Sequence, residues 1–351
     1  MSLRKLNSII WVALAMVAAV SCKKDDETTV PPSLNGTLTF NVSEFVSPGF
    51  VAKMTPKGLS HPDKKGIGYY WKVTPGMTYS DTTRLETGLN QQGKETDGTF
   101  TYWFPDSLGT YTVSCTGFAK GYSSSYASSF VTVVKGGLDG TLTRTGIKAS
   151  DKKITVDGTD YYYEKIGGLD WFRNNLASKS SGTPYSNLDV MTDVFGRYYN
   201  YDEAMKACPQ GWRLPTEEDW LSLASALGSP ASEPYSTFTD VASKLFADVY
   251  FNDVQILKYW PEVGDITNSS RLSVVPVGYA NLGNVNDEGK FLSASFDGGF
   301  EYAVFWTADT VPGEDGMAYF RYLFHNQPDM MVGKGDVNTF GASVRCVRDA
   351  K

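Results

Sequence analysis

The most informative segment of the chain is residues 208–220, which read Cys208-Pro209-Gln210-Gly211-Trp212-Arg213-Leu214-Pro215-Thr216-Glu217-Glu218-Asp219-Trp220. Thr216 is a good helix N-cap, and the three acids after it complement the positive end of a helix. Gly228 ends that helix, and residues spaced three or four apart share one of its faces: Trp220, Leu223, Ala224 and Leu227. Upstream, residues 202–208 predict a second short helix that Pro209 stops. Both helices are therefore expected to serve packing.

Other segments surround this one in a defined order: Val156-Asp157-Gly158, Ile166-Gly167-Gly168-Leu169-Asp170-Trp171-Phe172, Asn174-Asn175-Leu176, Gly196-Arg197-Tyr198-Tyr199-Asn200, Phe305-Trp306-Thr307 and Ser343-Val344-Arg345-Cys346-Val347-Arg348-Asp349. In order and spacing, residues 155–349 resemble the Fibrobacter succinogenes major paralogous domain family. The resemblance implies an α+β C-type-lectin-like fold for residues 151–351. It also implies that the motif tryptophans, Trp171, Trp212, Trp220 and Trp306, lie in the core.

Cys208 and Cys346 are the only cysteines in residues 151–351. Export of the chain, which its first residues indicate, places them where disulfides persist. We therefore expect a Cys208–Cys346 bridge that clamps the last strand. The same two positions match the structural cysteines of the family.

Residues 36–135 contain short alternating segments separated by Gly, Pro and Asp, as in Tyr69-Tyr70-Trp71-Lys72-Val73. This pattern is typical of antiparallel strands, and a module of this size predicts a sandwich. Trp71, followed by a late strand of the form G-x-Y-x-V, resembles immunoglobulin-like and PKD-like modules of bacterial surface proteins. Cys115 has no partner in this module and is expected to be a buried thiol. With residues 136–150 as a linker, the chain is expected to be β-rich with two domains, an immunoglobulin-like β-sandwich followed by the α+β lectin-like domain.

The first residues predict the cellular location of the protein. Arg4 and Lys5 precede an apolar run over residues 9–20 that is too short to span a bilayer comfortably, as in a secretory signal. Ala19-Val20-Ser21-Cys22 resembles a lipobox, which makes residues 1–21 a lipoprotein signal peptide, Cys22 the lipidation site and membrane anchor, and residues 22–35 a tether. The run Lys23-Lys24-Asp25-Asp26-Glu27 looks like the export signal of surface lipoproteins in Bacteroidota-type bacteria. The expected location is the outer membrane, with the protein exposed on the cell surface.

Charge narrows the partners. The chain has 351 residues with a net charge of −7, and removal of residues 1–21 takes away Arg4 and Lys5, which makes the net charge more negative. Nucleic acid is therefore excluded as a partner. Polysaccharide or oligosaccharide is the leading expectation. A second is an outer-membrane TonB-dependent transporter with its lipoprotein lid.

The sequence predicts no catalytic residues, no metal and no cofactor. Only His61 and His325 are present, without H-E-x-x-H, C-x-x-C, G-x-S-x-G or a phosphate loop. Gln327-Pro328-Asp329 resembles a calcium and galactose triplet of C-type lectins, but it follows Trp306 where those lectins place it upstream, so an ordinary turn is favoured. Residues 213–220 also resemble sulfatase-modifying enzymes, although the second cysteine pair of those enzymes is missing.

We therefore expect a non-catalytic binding protein. Sugar sites combine exposed aromatic faces with amides and carboxylates. Candidate residues come from the variable region and from one turn: Tyr250, Tyr259, Trp260, Asn252, Asp253, Asn268 and Asn326. Trp260 is equally compatible with a core position. The alternatives are a protein-binding adhesin, an accessory subunit of a nutrient transporter, a sulfatase-modifying type of enzyme and a purely structural spacer.

Overall fold

The computed structural model describes residues 30–74, 98–134, 148, 150–249, 251, 259–260, 265–283 and 293–350. The predictions for the leader, for Cys22 and for Tyr250, Asn252 and Asp253 lie outside these residues. The described chain is β-rich and divides into two compact units, the first ending at Val134. We call residues 30–134 the first unit and residues 148–350 the second unit. In the described ranges, no helix has the length and apolar character needed to cross a membrane.

The first unit is built mainly from antiparallel strands, as its alternating segments predict. Its described strands are β1 (Asn35–Thr39), β2 (Phe45–Val46), β3 (Val51–Met54), β4 (Lys57–Ser60), β5 (Gly68–Thr74), β6 (Phe100–Trp103), β7 (Gly109–Phe118) and β8 (Ser125–Val133). One sheet has the order β2-β8-β7-β5, while β1 pairs with β4 and β3 pairs with β6. The β2–β8 pair is parallel and the others are antiparallel.

Trp71 organises the core of the first unit. It is 1% exposed, and its indole N–H donates to the Gly98 carbonyl at 2.9 Å. At the start of β7, the Tyr111 hydroxyl donates to the Ser107 carbonyl four residues upstream at 3.0 Å. Cys115 is free and fully buried, and burial raises the pKa of its thiol to about 12. The prediction of a buried Cys115 thiol is confirmed.

The second unit mixes small sheets with short helices. Its described strands are β9 (Lys153–Val156), β10 (Thr159–Ile166), β11 (Leu169–Phe172), β12 (Thr183–Pro184), β13 (Arg197–Tyr198), β14 (Tyr279–Asn281), β15 (Ser295–Asp297), β16 (Tyr302–Thr310), β17 (Met317–Phe324), β18 (Met330–Asp336), β19 (Phe340–Gly341) and β20 (Val347–Asp349). The sheets have the orders β20-β11-β10-β9, β15-β14-β19, β16-β17-β18 and β12-β13. Its α-helices are α1 (Thr192–Phe195), α2 (Tyr201–Ala207), α3 (Glu217–Ala226) and α4 (Ala242–Leu245), and two 3₁₀ turns lie at Tyr185–Asn187 and Asp189–Met191.

The two predicted helices form, and reciprocal caps explain where they begin. Thr216 accepts the Asp219 backbone N–H, and the Asp219 carboxylate accepts the Thr216 N–H at 2.7 Å. Asn200 and Glu203 make the same pair of bonds at the start of α2. Such capping boxes satisfy backbone donors that the first turn leaves open. The cap at Thr216 was predicted from the sequence and is confirmed.

The ends of the second unit meet in one sheet. β20 pairs with β11, placing Val347 opposite Trp171, and the Arg213 backbone N–H donates to the Val347 carbonyl at 2.9 Å. Beside this junction Cys208 and Cys346 form a disulfide with a Cα–Cα distance of 5.8 Å. The predicted bridge is confirmed. The motif tryptophans are all buried, as predicted: Trp171 at 0%, Trp306 at 0%, Trp220 at 2% and Trp212 at 8% exposed.

Candidate functional site

Tyr259 and Trp260, two of the aromatic residues expected to contact a ligand, lie inside the second unit. They are 1% and 0% exposed. The Trp260 ring stacks on Phe246 with centroids 3.8 Å apart, and its N–H donates to the Val274 carbonyl at 2.7 Å. Tyr259 stacks on Phe300 at 5.5 Å. The expectation of an exposed ring is therefore corrected for Tyr259, and Trp260 occupies the core position that was its alternative, because other aromatic rings cover both ring faces.

Asn268 and Asn326, two expected amides, occupy different settings. The Asn268 side chain donates to the Ser273 hydroxyl and accepts the Ser273 backbone N–H, both at 3.0 Å. These two bonds close the loop between Asn268 and Ser273. The next residue, Val274, accepts the Trp260 N–H. Asn326 is exposed in the turn after β17. The structure thus joins Asn268 and Trp260 to one segment and leaves Asn326 at the end of a strand that carries partly exposed aromatic rings.

Those rings belong to a surface that the sequence did not single out. It consists of six partly exposed aromatic residues on β14, β16, β17 and β19, here called the aromatic face: Tyr279, Tyr302, Phe320, Tyr322, Phe324 and Phe340. Five of the rings form a closed circuit of neighbours, with centroid distances of 4.7 Å (Phe320–Phe340), 5.6 Å (Phe340–Tyr279), 6.3 Å (Tyr279–Tyr302), 6.2 Å (Tyr302–Tyr322) and 5.9 Å (Tyr322–Phe320). Phe324 packs on Tyr302 at 4.5 Å.

Strand alternation and register bring the rings together. Phe320, Tyr322 and Phe324 are every second residue of β17, so they point to one side of the sheet. Tyr302 lies directly opposite Phe324 on β16. The signal available in the sequence was this run of alternate aromatic residues in β17.

Glycines on β18 leave room for the rings. A Cβ added at Gly333 would lie 2.4 Å from the Phe320 ring, and one added at Gly335 would lie 2.7 Å from Phe340. Such distances are well below van der Waals contact, so any side chain at either position would push the rings outward. The G-x-G spacing of Gly333 and Gly335 in β18 therefore makes room for the rings of Phe320 and Phe340.

Acidic groups border the face near two of its phenols. Asp297 pairs with Tyr279 across β14 and β15, and Glu301 precedes Tyr302. The pKa values of Tyr279 and Tyr302 are raised, first by burial and then by these carboxylates and neighbouring phenols. Both phenols therefore stay protonated over the physiological range and can donate hydrogen bonds. The arrangement offers flat apolar rings beside hydroxyl donors and carboxylate acceptors.

The other side of β17 is anchored by a buried ion pair. Arg321 and Glu217 are both fully buried, and Arg321 Nε donates to Glu217 Oε1 at 3.0 Å while Nη2 donates to Oε2. The third guanidinium nitrogen, Nη1, donates to the Ser236 carbonyl at 2.6 Å, and the group lies 3.6 Å from the Phe238 ring centre. Burial lowers the pKa of Arg321, but the bonds to Glu217 oppose that shift. These contacts tie the middle of β17 to the first turn of α3.

The Gln327-Pro328-Asp329 triplet forms a turn whose acid is already engaged. Asp329 Oδ1 accepts the Asp240 backbone N–H at 3.0 Å. His325, just before the triplet, is 9% exposed and packs on Phe324 at 4.4 Å. In the described part of the chain, no three His, Cys, Asp or Glu side chains are grouped closely enough to hold a metal ion.

Comparisons with known proteins give one family and one weak structural likeness. No curated protein matches the chain. A solved structure of the adhesin InvE from Yersinia pseudotuberculosis aligns with 91% of this chain and 71% of its own, at 11% identity and a TM-score of 0.22. A likeness of that size carries no argument about fold or function. The model of the Fibrobacter succinogenes major domain matches residues 165–348, more than half of the chain, and the chain therefore belongs to that family.

Proposed function

We propose that the chain is a cell-surface lipoprotein that binds extracellular polysaccharide or oligosaccharide for capture and uptake, and that the aromatic face of the second unit makes the contact. The observation that carries the proposal is the circuit of partly exposed rings bordered by Asp297 and Glu301. Sugar rings pack their C–H faces on aromatic rings and bond their hydroxyls to phenols and carboxylates. The aromatic face offers all three kinds of group.

Anchoring and architecture are part of the same proposal. Cys22 carries the lipid and holds the protein on the outer membrane. The first unit is an immunoglobulin-like sandwich, which the core position of Trp71 and the Tyr111–Ser107 bond support, since both features are typical of that fold. The second unit is C-type-lectin-like, which the pairing of its last strand β20 with the early strand β11 and its disulfide support.

The state of the cysteines supports binding without thiol chemistry. Cys208 and Cys346 are bonded to each other, and the buried Cys115 is uncharged at neutral pH. A sulfatase-modifying type of reaction needs a reactive thiol. The described cysteines of this chain offer none.

The experiment is native gel electrophoresis of residues 23–351 in gels that contain plant, microbial or host polysaccharides, with and without calcium. Retardation by a polysaccharide is the expected result. The Tyr322→Ala variant should bind roughly 5- to 30-fold more weakly, since burial of one aromatic ring contributes about 1–2 kcal/mol. Tyr319→Ala is the matched control, because Tyr319 lies on the opposite side of β17 and packs on Tyr235.

Three outcomes would change the proposal. Equal binding by wild type and Tyr322→Ala would remove the aromatic face from it. Retardation only with calcium would move the site to Gln327-Pro328-Asp329. No retardation by any polysaccharide, together with recovery of an outer-membrane transporter in pull-downs, would replace sugar by a protein partner.

A further inference from the structure

The first unit carries a second surface of suitable chemistry on the outward side of β5, β7 and β8. Alternate residues of these strands fill the core, among them Trp71, Val113 and Val131. The residues between them point outward and define the outer sheet face: Tyr70, Lys72, Thr74, Thr110, Thr112, Ser114, Thr116, Phe118, Tyr126, Ser128, Phe130 and Thr132.

Four large aromatic residues are exposed on this one face. Tyr126 is 63% exposed, Tyr70 42%, Phe130 39% and Phe118 38%. One exposed aromatic residue is ordinary on a protein surface, but several on one face mark a binding surface. Phe118 lies over Gly68, which has no side chain, while the other three rings belong to residues that stand among hydroxyls.

The strand register fixes the spacing of three of these rings. Tyr70, Thr116 and Tyr126 form one row across the sheet, which places the two tyrosines two strands apart, about 10 Å. Phe130 lies four residues along β8 from Tyr126, about 13 Å away. The rings are thus spread over the sheet as separate platforms and do not pack into one cluster.

The face is almost uncharged. Lys72 is the single charged residue among the outward positions of these three described strands, although the chain as a whole has a net charge of −7. Hydroxyls fill most of the space between the rings, and those of Thr110 and Thr132 bond to each other at 3.1 Å. Such a surface complements a ligand that is itself uncharged and rich in hydroxyls. A lipid surface or a charged protein partner would call for a cluster of charge.

We propose that the outer sheet face binds a linear, uncharged, β-linked polysaccharide, with sugar rings stacked on Tyr70, Tyr126 and Phe130 and their hydroxyls bonded to the threonines and serines between them. This inference rests on the proposed glycan-binding function and adds its substrate class and a second contact site. Spaced platforms suit an extended chain, in which sugar rings recur at regular intervals. A compact or branched ligand would reach one platform at a time.

The test compares three forms of residues 23–351 in gels that contain uncharged β-linked glucans, mannans or xylans. The variant Tyr70→Ser/Tyr126→Ser/Phe130→Ser should be retained roughly tenfold or more weakly than wild type. Phe50→Ser is the matched control, because Phe50 is 38% exposed but lies outside the outer sheet face. If the triple variant does not fold, as judged by its melting curve, Tyr126→Ser alone is used, since its ring is the most exposed of the four.

Each outcome is informative. Wild-type retention that the triple variant loses and the control keeps supports the inference. Equal retention of wild type and triple variant overturns it while the proposed function stands. Absence of wild-type retention in every uncharged β-linked polysaccharide overturns the inference, and absence of retention in the wider panel of plant, microbial and host polysaccharides overturns the proposed function as well. If wild type sediments as a dimer and the triple variant as a monomer with unchanged retention, the face joins two copies of the chain and the inference is wrong.

Discussion

Removal of the Cys208–Cys346 bridge should be the most destabilising conservative change in the second unit. The bond closes a loop of 138 residues. On the chain-entropy model, closing a loop of that length stabilises the folded state by about 5 kcal/mol at 25 °C. A domain has only about 5–15 kcal/mol of stability in total. The Cys208→Ala/Cys346→Ala variant should therefore melt roughly 10–20 °C lower than wild type, or fail to fold at 37 °C.

Near-ultraviolet circular dichroism is a suitable assay, because five buried tryptophans report on the second unit: Trp171, Trp212, Trp220, Trp260 and Trp306. Cys115→Ala is the control, since it removes a thiol from the first unit and should leave the second transition unchanged. In residues 23–351, thiol counting on unfolded, unreduced protein should find one reactive group, that of Cys115. A melting shift of less than about 2 °C would refute the loop-closure reasoning, and three reactive thiols would refute the bridge itself.

Two further predictions concern buried charges. Glu217→Gln should lower the free energy of unfolding in urea by about 3–5 kcal/mol, because it leaves Arg321 buried without its partner. Glu217→Leu/Arg321→Met should lower it by less than that single change. A larger loss in the double variant would contradict this reasoning. Asp151 bonds to Arg271 and Arg173, and the bond from Arg271 is the main reason its pKa falls from 3.8 to about 2. Because the folded pKa lies below the unfolded one, this stabilisation is complete above about pH 4 and is lost as the pH falls from 3.8 towards 2. Asp151→Asn should therefore flatten the acid side of the stability curve in that window, and an unchanged slope in urea titrations from pH 2 to pH 5 would count against the assignment.

Local features of the fold were predictable because the forces behind them act over a few residues. The Thr216 cap needs only Asp219 three positions later. The disulfide was predictable because residues 151–351 contain only two cysteines. The family segments then indicated the core tryptophans, since they occupy positions that the resemblance assigns to packing.

Exposure of aromatic residues was not predictable in the same way. Trp260 and Tyr322 are both large rings with a polar atom, and residue type does not distinguish their surroundings. Trp260 became buried because Phe246 covers its ring and the Val274 carbonyl accepts its N–H. Both partners come from parts of the chain whose position depends on the whole fold. Three of the expected residues, Tyr250, Asn252 and Asp253, lie outside the described structure, and their role stays a prediction.

β17 shows why hydrophobic periodicity did not predict the aromatic face. Its alternate residues are Phe320, Tyr322 and Phe324 on one side and Tyr319, Arg321 and Leu323 on the other. Hydrophobic periodicity alone favours burial of the first set and exposure of Arg321. The structure buries Arg321 completely because Glu217, at the start of α3, and the Ser236 carbonyl satisfy its guanidinium.

The buried pair determines which side of β17 carries its alternate aromatic residues. A strand has two sides, and because Arg321 points towards Glu217, its neighbours Phe320 and Tyr322 point to the other side, where they pack against the core of the second unit and stay partly exposed. Replacing a buried ion pair by apolar residues is often neutral for stability, so stability alone does not account for an arginine at this position. An apolar residue at 321 would suit either orientation of β17, whereas Arg321 has its partners on one side only. The pair therefore favours the orientation of the strand in which Phe320, Tyr322 and Phe324 share the side opposite Glu217 and stay partly exposed.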